Sequence, residues 1–392
     1  MFRLSHYLNV LRNRRVSGNG CGPAHAGRKQ ALPIVIWNLT RRCNLECLHC
    51  YASSKERHYS GELTTEQALA TLDGLAEAHC GTIVFSGGEP LYREDIHTLA
   101  KRAVDLGLPL TLSTNGTLID DKTADRLVES GFTYIGISFD GMEETHDRFR
   151  GMKGAFKQSL DGLMRIKERG VKVGVRFSLT RINIADLPKI FQFVEERGIT
   201  KLYLSHLVYS GRGNLNKGDD LSPEETRNIM EYVFEKAEEY ASSPSGPQIV
   251  TGNNDADAVF LLLRMMKKDP KSADALLPML ERAGGNNAGI GVANIDPTGE
   301  VHPDPLTSYI NLGNVTKKRF AQIWNDETHP VLARLRERPR RINGRCGECA
   351  WLSVCGGNAR PRAKLINGDM WGSDPACYLT DEEIKIETSC AI

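Results

Sequence analysis

The segment Trp37-Asn38-Leu39-Thr40-Arg41-Arg42-Cys43-Asn44-Leu45-Glu46-Cys47-Leu48-His49-Cys50-Tyr51 decides how the rest of the chain is read. It carries three cysteines, Cys43, Cys47 and Cys50, in the spacing C-x3-C-x2-C. A tetrahedral zinc site takes four ligands, and a cubane iron–sulfur cluster has four corners, usually held by four cysteines. Three thiolates leave one metal position without a protein ligand. Such a position can bind a small molecule, as a catalytic metal does at its open site. From these residues alone, an incomplete zinc site remains the alternative.

Around this segment the hydrophobic pattern alternates between strand and helix. Strands are predicted at 33–38, 82–85, 108–113, 133–139, 171–179 and 201–206. Helices are predicted at 64–79, 96–106, 121–130, 155–168, 187–196 and 222–240, the last opened by Ser222-Pro223-Glu224-Glu225. Alternation of this kind implies an α/β fold with a parallel sheet. Six units fall short of a closed eight-stranded barrel, so a partial (β/α)6 barrel is expected. In such folds ligands bind beyond the carboxyl ends of the strands. Those ends are polar throughout. The cysteine loop follows the first strand and Ser86-Gly87-Gly88-Glu89-Pro90 the second. Ser113-Thr114-Asn115-Gly116 follows the third, and Ser138-Phe139-Asp140-Gly141 ends the fourth. Arg176 lies in the fifth, and His206, Tyr209 and Arg212 follow the sixth.

Composition bounds the partners. The 392 residues are 40% hydrophobic and 25% charged, values of a soluble globular protein. A net charge of +1 gives no general attraction to nucleic acid or to an anionic membrane. No apolar run of about 18 residues spans a membrane, and the N-terminal residues lack a signal-peptide pattern. A cytoplasmic protein is expected. Four regions are anticipated: a basic extension over 1–31, the barrel over 32–241, a bridge over 242–285 and a C-terminal domain over 286–392. Phe2, Leu4, Leu8 and Leu11 give the extension the apolar stripe of a short helix. The dense basic stretch 336–345 is read as a solvated helix face and loop.

Ten cysteines are many for a reducing compartment, where clustered cysteines bind metal more often than they form disulfides. Four of them, Cys346, Cys349, Cys355 and Cys377, form a second group. Four thiolates complete either a zinc site or a [4Fe–4S] cluster, and the residues alone favour neither. Cys390 is an alternative fourth ligand, and Cys21 is read as a bystander in a turn-rich loop.

The order of C-x3-C-x2-C after a first strand and Gly-Gly-Glu-Pro after a second resembles the radical S-adenosylmethionine enzymes. The resemblance implies that Cys43, Cys47 and Cys50 hold a [4Fe–4S] cluster whose free iron chelates S-adenosylmethionine. One electron then cleaves the sulfonium and releases a hydrogen-abstracting 5′-deoxyadenosyl radical. It further implies that Gly87, Gly88 and Glu89 contact the methionine amine, through close backbone approach and carboxylate–ammonium pairing. Ser138, Asp140 and Asn115 would contact the ribose. His49 stands where the family usually has an aromatic residue and is expected to contact adenine; for Asp140, a helix N-cap is the alternative.

Beside such a core, the second cysteine group and the preceding Asp-Pro-Thr-Gly hairpin resemble the auxiliary-cluster extensions called SPASM or twitch domains. Asp304 stands where the full SPASM pattern has a cysteine, which implies a single auxiliary [4Fe–4S] cluster. Segments 37–43, 206–213, 355–358 and 374–380 together resemble the tetrapyrrole-modifying branch, which includes NirJ-type heme d1 proteins and didecarboxysiroheme deacetylases. That implies a carboxylate-rich tetrapyrrole substrate, an external one-electron donor and loss of propionate side chains from 12,18-didecarboxysiroheme; acetate loss is the alternative. Arginine suits bidentate carboxylate binding. Arg176, Arg212, Arg360 and Arg362 are therefore candidates, with His206 and Tyr209 near the ring. A peptide-maturing enzyme would be expected to place a peptide-binding domain before the core, where about thirty residues stand. A plain iron–sulfur electron carrier would not need the Gly-Gly-Glu-Pro loop.

Overall fold

The computed structural model describes residues 1–17, 33–243 and 246–385, so Cys21 and Cys390 lie outside the described residues. Helix α1 (Leu4–Ser17) opens the chain. Strands β1 (Ile34–Asn38), β2 (Thr82–Ser86), β3 (Leu110–Thr114), β4 (Tyr134–Ser138), β5 (Lys172–Leu179) and β6 (Lys201–His206) then pair in parallel in chain order. The expected helices follow them as α2 (Thr65–Glu77), α3 (Ile96–Asp105), α4 (Asp121–Glu129), α6 (Ala155–Glu168) and α7 (Leu187–Glu196), with α9 (Pro223–Ala241) after β6 and the short α8 (Arg212–Leu215). Capping boxes start two of them, Thr64 with Gln67 at α2 and Ser222 with Glu225 at α9.

The core lies on one face of the sheet. Val35, Trp37, Ile83, Phe85, Val175 and Phe177 are essentially inaccessible there and pack with helix residues such as Leu72, Leu99 and Leu163. Each such side chain stabilises the fold by roughly 1.5–3 kcal/mol relative to exposure. Alternation then turns Asn38, Ser86, Ser113, Ser138 and Arg176 to the opposite face. Period-2 patterning thus buries one face and leaves a polar row on the other.

Two regions differ from expectation. Helix α5 (Glu143–Arg150) stands between β4 and α6. It is only eight residues long and lacks a side-chain N-cap, which hid it. Its signals are Glu143 and Glu144 in the first turn, Arg148 and Arg150 in the last, and left-handed Gly151 as C-cap. The expected bridge supplies β7 (Gln248–Gly252), parallel to β6, and two helices, α10 (Ala256–Lys268) and α11 (Pro270–Ala283). The expected N-terminal helix forms, and the described residues 1–17 dock on the sheet: Phe2 exchanges backbone hydrogen bonds with Thr251 at 2.6 and 2.8 Å, and α1 packs on α9 and β7.

The C-terminal hairpin forms as β8 (Val292–Ile295) and β9 (Glu300–His302), with β10 (Gly313–Asn314) beside it. Strand β8 lies parallel to β1, with Val292 opposite Ile34. The sheet therefore has ten strands in the order β10-β9-β8-β1-β2-β3-β4-β5-β6-β7 and is open at both edges. No described helix is long and apolar enough to cross a membrane.

Candidate active site

The cysteine loop sits at the carboxyl end of β1. Cys43 and Cys47 are buried and Cys50 is half-buried. Donors already face the sulfurs: the Leu45 amide reaches Cys43 Sγ at 3.4 Å, the Ser54 amide Cys50 Sγ at 3.5 Å, and Arg150 Nη1 Cys47 Sγ at 3.5 Å. Burial, with Glu89 nearby, pushes the Cys43 thiol well up. Burial also raises Cys47, against the pull of Arg150. Thiolates here need a cation to neutralise them, and metal binding supplies one.

The Gly-Gly-Glu loop is packed against this segment. A Cβ on Gly87 would lie 2.4 Å from the Thr40 carbonyl oxygen, and one on Gly88 2.3 Å from that of Arg42. The Gly88 amide donates to Thr40 at 2.7 Å and the Glu89 amide to Arg42 at 2.8 Å. The glycines are thus required by the cysteine loop itself. Their own carbonyls accept no hydrogen bond among the described residues, and their backbone is half-exposed. Those carbonyls fit an ammonium group.

Glu89 differs from expectation. Its carboxylate is fully buried and turned inward, accepting from Thr114 Oγ1 at 2.7 Å and from the Asn115 and Leu91 amides at 2.8 and 3.2 Å. Burial pushes its pKa up to about 7 despite those bonds. Asn115 is likewise engaged: its amide nitrogen reaches Asn44 Oδ1 at 2.9 Å and Cys43 Sγ at 3.9 Å, and its oxygen accepts from Thr117. It braces the cysteine loop.

Asp140 is also corrected. It is not a helix N-cap, since Met142 holds that position in α5. Its buried carboxylate pairs with Arg150 and accepts from the Ser178 amide at 2.8 Å. Burial alone would raise it, but the Arg150 guanidinium and the Ser178 amide hold it below the usual carboxylate range. Sequence reasoning missed Arg150 because it missed α5. The same guanidinium joins Asp140 to Cys47 Sγ, so a buried charge chain runs behind the loop. Ser138 stays half-exposed at the end of β4. The His49 ring lies 4.7 Å from that of Phe149, and burial lowers its pKa to about 4, so the imidazole is neutral.

Of the substrate candidates, Arg176 keeps an open position. Gly136 on β4 makes room for it, since a Cβ there would lie 2.7 Å from Arg176 Nε. The guanidinium donates to Ser113 Oγ, lies 6.0 Å over the Tyr203 ring and has no carboxylate partner among the described residues. The others are structural. Arg212 donates to the Cys47 and Ser54 carbonyls at 2.7 and 2.8 Å. His206 is buried, 3.2 Å from Asp257, whose other oxygen accepts from Tyr378. Tyr209 donates to Asp220 at 2.8 Å.

The second cysteine group gathers at the other side of the chain's C-terminal third. Burial, then Asp255 and the other three thiols, push Cys355 far up, so the four stand within electrostatic reach. Arg345 Nη1 reaches Cys377 Sγ at 3.3 Å. Arg340, expected to be solvated, is buried and donates to the Leu335, Gly356 and Asn286 carbonyls. Arg360 is buried against the Met370 and Gly372 carbonyls. Arg362 forms a fully buried pair with Asp374, at 2.8 Å, and reaches the Leu207 and Asn253 carbonyls at the ends of β6 and β7. Asn358 adds a 2.7 Å bond to Asn254. Of the expected carboxylate binders, Arg362 therefore ties the cysteine group to the sheet, and Arg360 ties that segment to itself.

Comparison with known proteins agrees with this geometry. The radical SAM superfamily model matches residues 37–194, and the SPASM model, an iron–sulfur cluster-binding domain, matches residues 287–350. The chain is 48% identical over 390 residues to the pre-heme d1 synthase of Dinoroseobacter shibae, covering 99% of this chain and 95% of that one. It is 42% identical over 359 residues to the Fe-coproporphyrin III synthase of Methanosarcina barkeri, covering 91% and 90%. Among solved structures, Streptococcus suis SuiB bound to S-adenosylmethionine aligns over 89% of this chain and 78% of that one, with a TM-score of 0.68 and 17% identity, a likeness of fold. With thiolates at both expected places, the residues fit one cluster and S-adenosylmethionine at Cys43, Cys47 and Cys50, and an auxiliary cluster at the second group. This chain belongs to the radical SAM superfamily, in the part of it that carries a SPASM iron–sulfur domain.

Proposed function

We propose that this enzyme acts in heme biosynthesis and removes propionate side chains from 12,18-didecarboxysiroheme by C–C bond cleavage, on the route to heme d1. The observation that carries the reading is the 48% identity with a pre-heme d1 synthase over 99% of the chain. When bound, the first cluster and S-adenosylmethionine supply one-electron cleavage and a radical that abstracts hydrogen from the side chain. Cys43, Cys47 and Cys50 hold that cluster, and Cys346, Cys349, Cys355 and Cys377 hold the auxiliary one, which accepts or relays an electron. The carbonyls of Gly87 and Gly88 take the methionine ammonium. Ser138 takes a ribose hydroxyl, and neutral His49 lies along adenine. Arg176, a guanidinium without a carboxylate of its own, takes a substrate carboxylate. An external carrier delivers the electron in the cytoplasm, and neither nucleic acid nor membrane takes part.

The 42% identity with an Fe-coproporphyrin III synthase favours a second reading, removal of acetate side chains in a route to heme b. One experiment separates them. Reduced, cluster-loaded enzyme is incubated with S-adenosylmethionine and 12,18-didecarboxysiroheme, and the tetrapyrrole is weighed by mass spectrometry. Loss of two propionate masses is expected. Loss of two acetate masses transfers the chain to the second reading. An unchanged tetrapyrrole, alongside turnover by an authentic control enzyme, rejects both.

A further inference from the structure

The β8–β9 hairpin carries a side-chain group that the cluster chemistry does not use. Asp296, Glu300 and His302 fall on one face of it, Asn294 standing opposite His302 and Ile295 opposite Val301. Their ligand atoms all lie within 4.8 Å of one another. His302 is 1% exposed. Its Nδ1 lies 2.7 Å from the Ile310 carbonyl oxygen, so Nδ1 carries a proton. That leaves Nε2 buried and, among the described residues, without a hydrogen-bond partner, within 4.8 Å of both carboxylates.

The distances decide what fills that space. Nε2 stands 3.9 Å from Asp296 Oδ2, too far for a hydrogen bond. Two ligands bound to one ion at roughly 2.0–2.2 Å each are separated by about 3–4 Å, and this gap matches. The other oxygen of Asp296 is already fixed by the Thr298 amide and hydroxyl and the Glu300 amide, at 2.8–2.9 Å, which points Oδ2 at the imidazole. Glu300 has no donor among the described residues and is half-exposed, which gives an ion a way in. A histidine whose second nitrogen donates to a backbone carbonyl is the usual arrangement of a metal ligand.

We propose that Asp296, Glu300 and His302 bind one divalent transition-metal cation, separate from both clusters. One imidazole and two carboxylates suit a borderline ion of the Mn2+, Fe2+ or Zn2+ kind. The ion clips β8 to β9 where the hairpin joins β1, the strand that leads into the first cysteine loop. Its hold on the hairpin tip adds to the 2.8 Å bond from the Leu63 amide to the Pro297 carbonyl.

The test uses cluster-loaded protein, so that the cysteines are occupied, and Mn2+ as the probe. Uptake is read from the loss of the free aquo-ion EPR signal. One Mn2+ per chain is expected, with binding weakened at least about tenfold in Glu300→Gln, the scale on which even second-shell changes act. Pulsed EPR of the bound ion should show imidazole nitrogen coupling that disappears in His302→Gln. Glu300→Gln keeps the size of a half-exposed side chain, so its fold is not at stake. Equal Mn2+ uptake by wild type and Glu300→Gln, or none by wild type, overturns the proposal. In the second case Asp296 and His302 form an ion pair and nothing more.

Discussion

The two cysteine groups are built on opposite plans. The first places three thiols within eight residues of one loop, braced by the Glu89 amide after β2, by Asn115 after β3 and by Arg150 from α5. The second draws four thiols from 346 to 377 and is tied to the sheet through Arg362, Asp374 and Asn358. A loop that must leave one metal corner free gets its order from its surroundings. A group with a full set of four ligands can order its own chain, and needs the sheet only for position. The arginines follow the same division, for most of those that read as carboxylate binders are joints.

That contrast can be broken at the joints. Arg362→Leu leaves Asp374 buried and unpaired, so a loss of about 3–5 kcal/mol in unfolding free energy is expected. Arg212→Leu, which strands only carbonyl groups at the first loop, should lose about 1–3 kcal/mol. Denaturant titration of the two variants checks the order. A larger loss for Arg212→Leu would contradict that order.

Glu89 sharpens the comparison through pH. Its folded pKa of about 7 lies above the ordinary 4.5, so the folded chain holds this proton more tightly than the unfolded one. Stability from this group is complete below about pH 4.5 and is lost as pH rises through about 7, by on the order of 3 kcal/mol. In cluster-free protein, the difference in stability between wild type and Glu89→Gln should therefore change by that amount from pH 4.5 to pH 8. A constant difference would show that the carboxylate is not held in a dry site.

Arg150 is read through the first cluster's potential. Removing a cation beside Cys47 disfavours the reduced cluster, and Arg150→Leu should lower its potential by on the order of 50 mV. Arg150→Lys should recover part of the shift. The potential of the auxiliary cluster should not move in either variant.

The fold was legible where periodicity was regular. Strands β1 to β6 and their longer helices followed from apolar spacing, and the thiols of both sites from their counts. Strand β7 was hidden because Gln248–Gly252 follows directly on a Ser-Pro break. Helix α5 was hidden by its charged composition, and with it Arg150. At the site, residue type indicated chemistry but not direction. Glu89, Asn115, Asp140 and Arg212 all lie at or just beyond strand ends, as read, yet each turns to a protein neighbour: Glu89 to the end of β3, Asp140 to Arg150, and Asn115 and Arg212 to the cysteine loop. Only packing decides whether a polar strand end turns outward to a ligand or inward to a neighbouring loop, and a single sequence does not encode that locally.

The central claim is that the first group alone cleaves S-adenosylmethionine while the second serves the later steps. Wild type, Cys47→Ala and Cys355→Ala are loaded with iron and sulfide, reduced, and assayed for 5′-deoxyadenosine. The account predicts about eight irons per chain in wild type and about four in each variant. It predicts 5′-deoxyadenosine from wild type and Cys355→Ala and none from Cys47→Ala. Release by Cys47→Ala, or its loss in Cys355→Ala with four irons still bound, would contradict it.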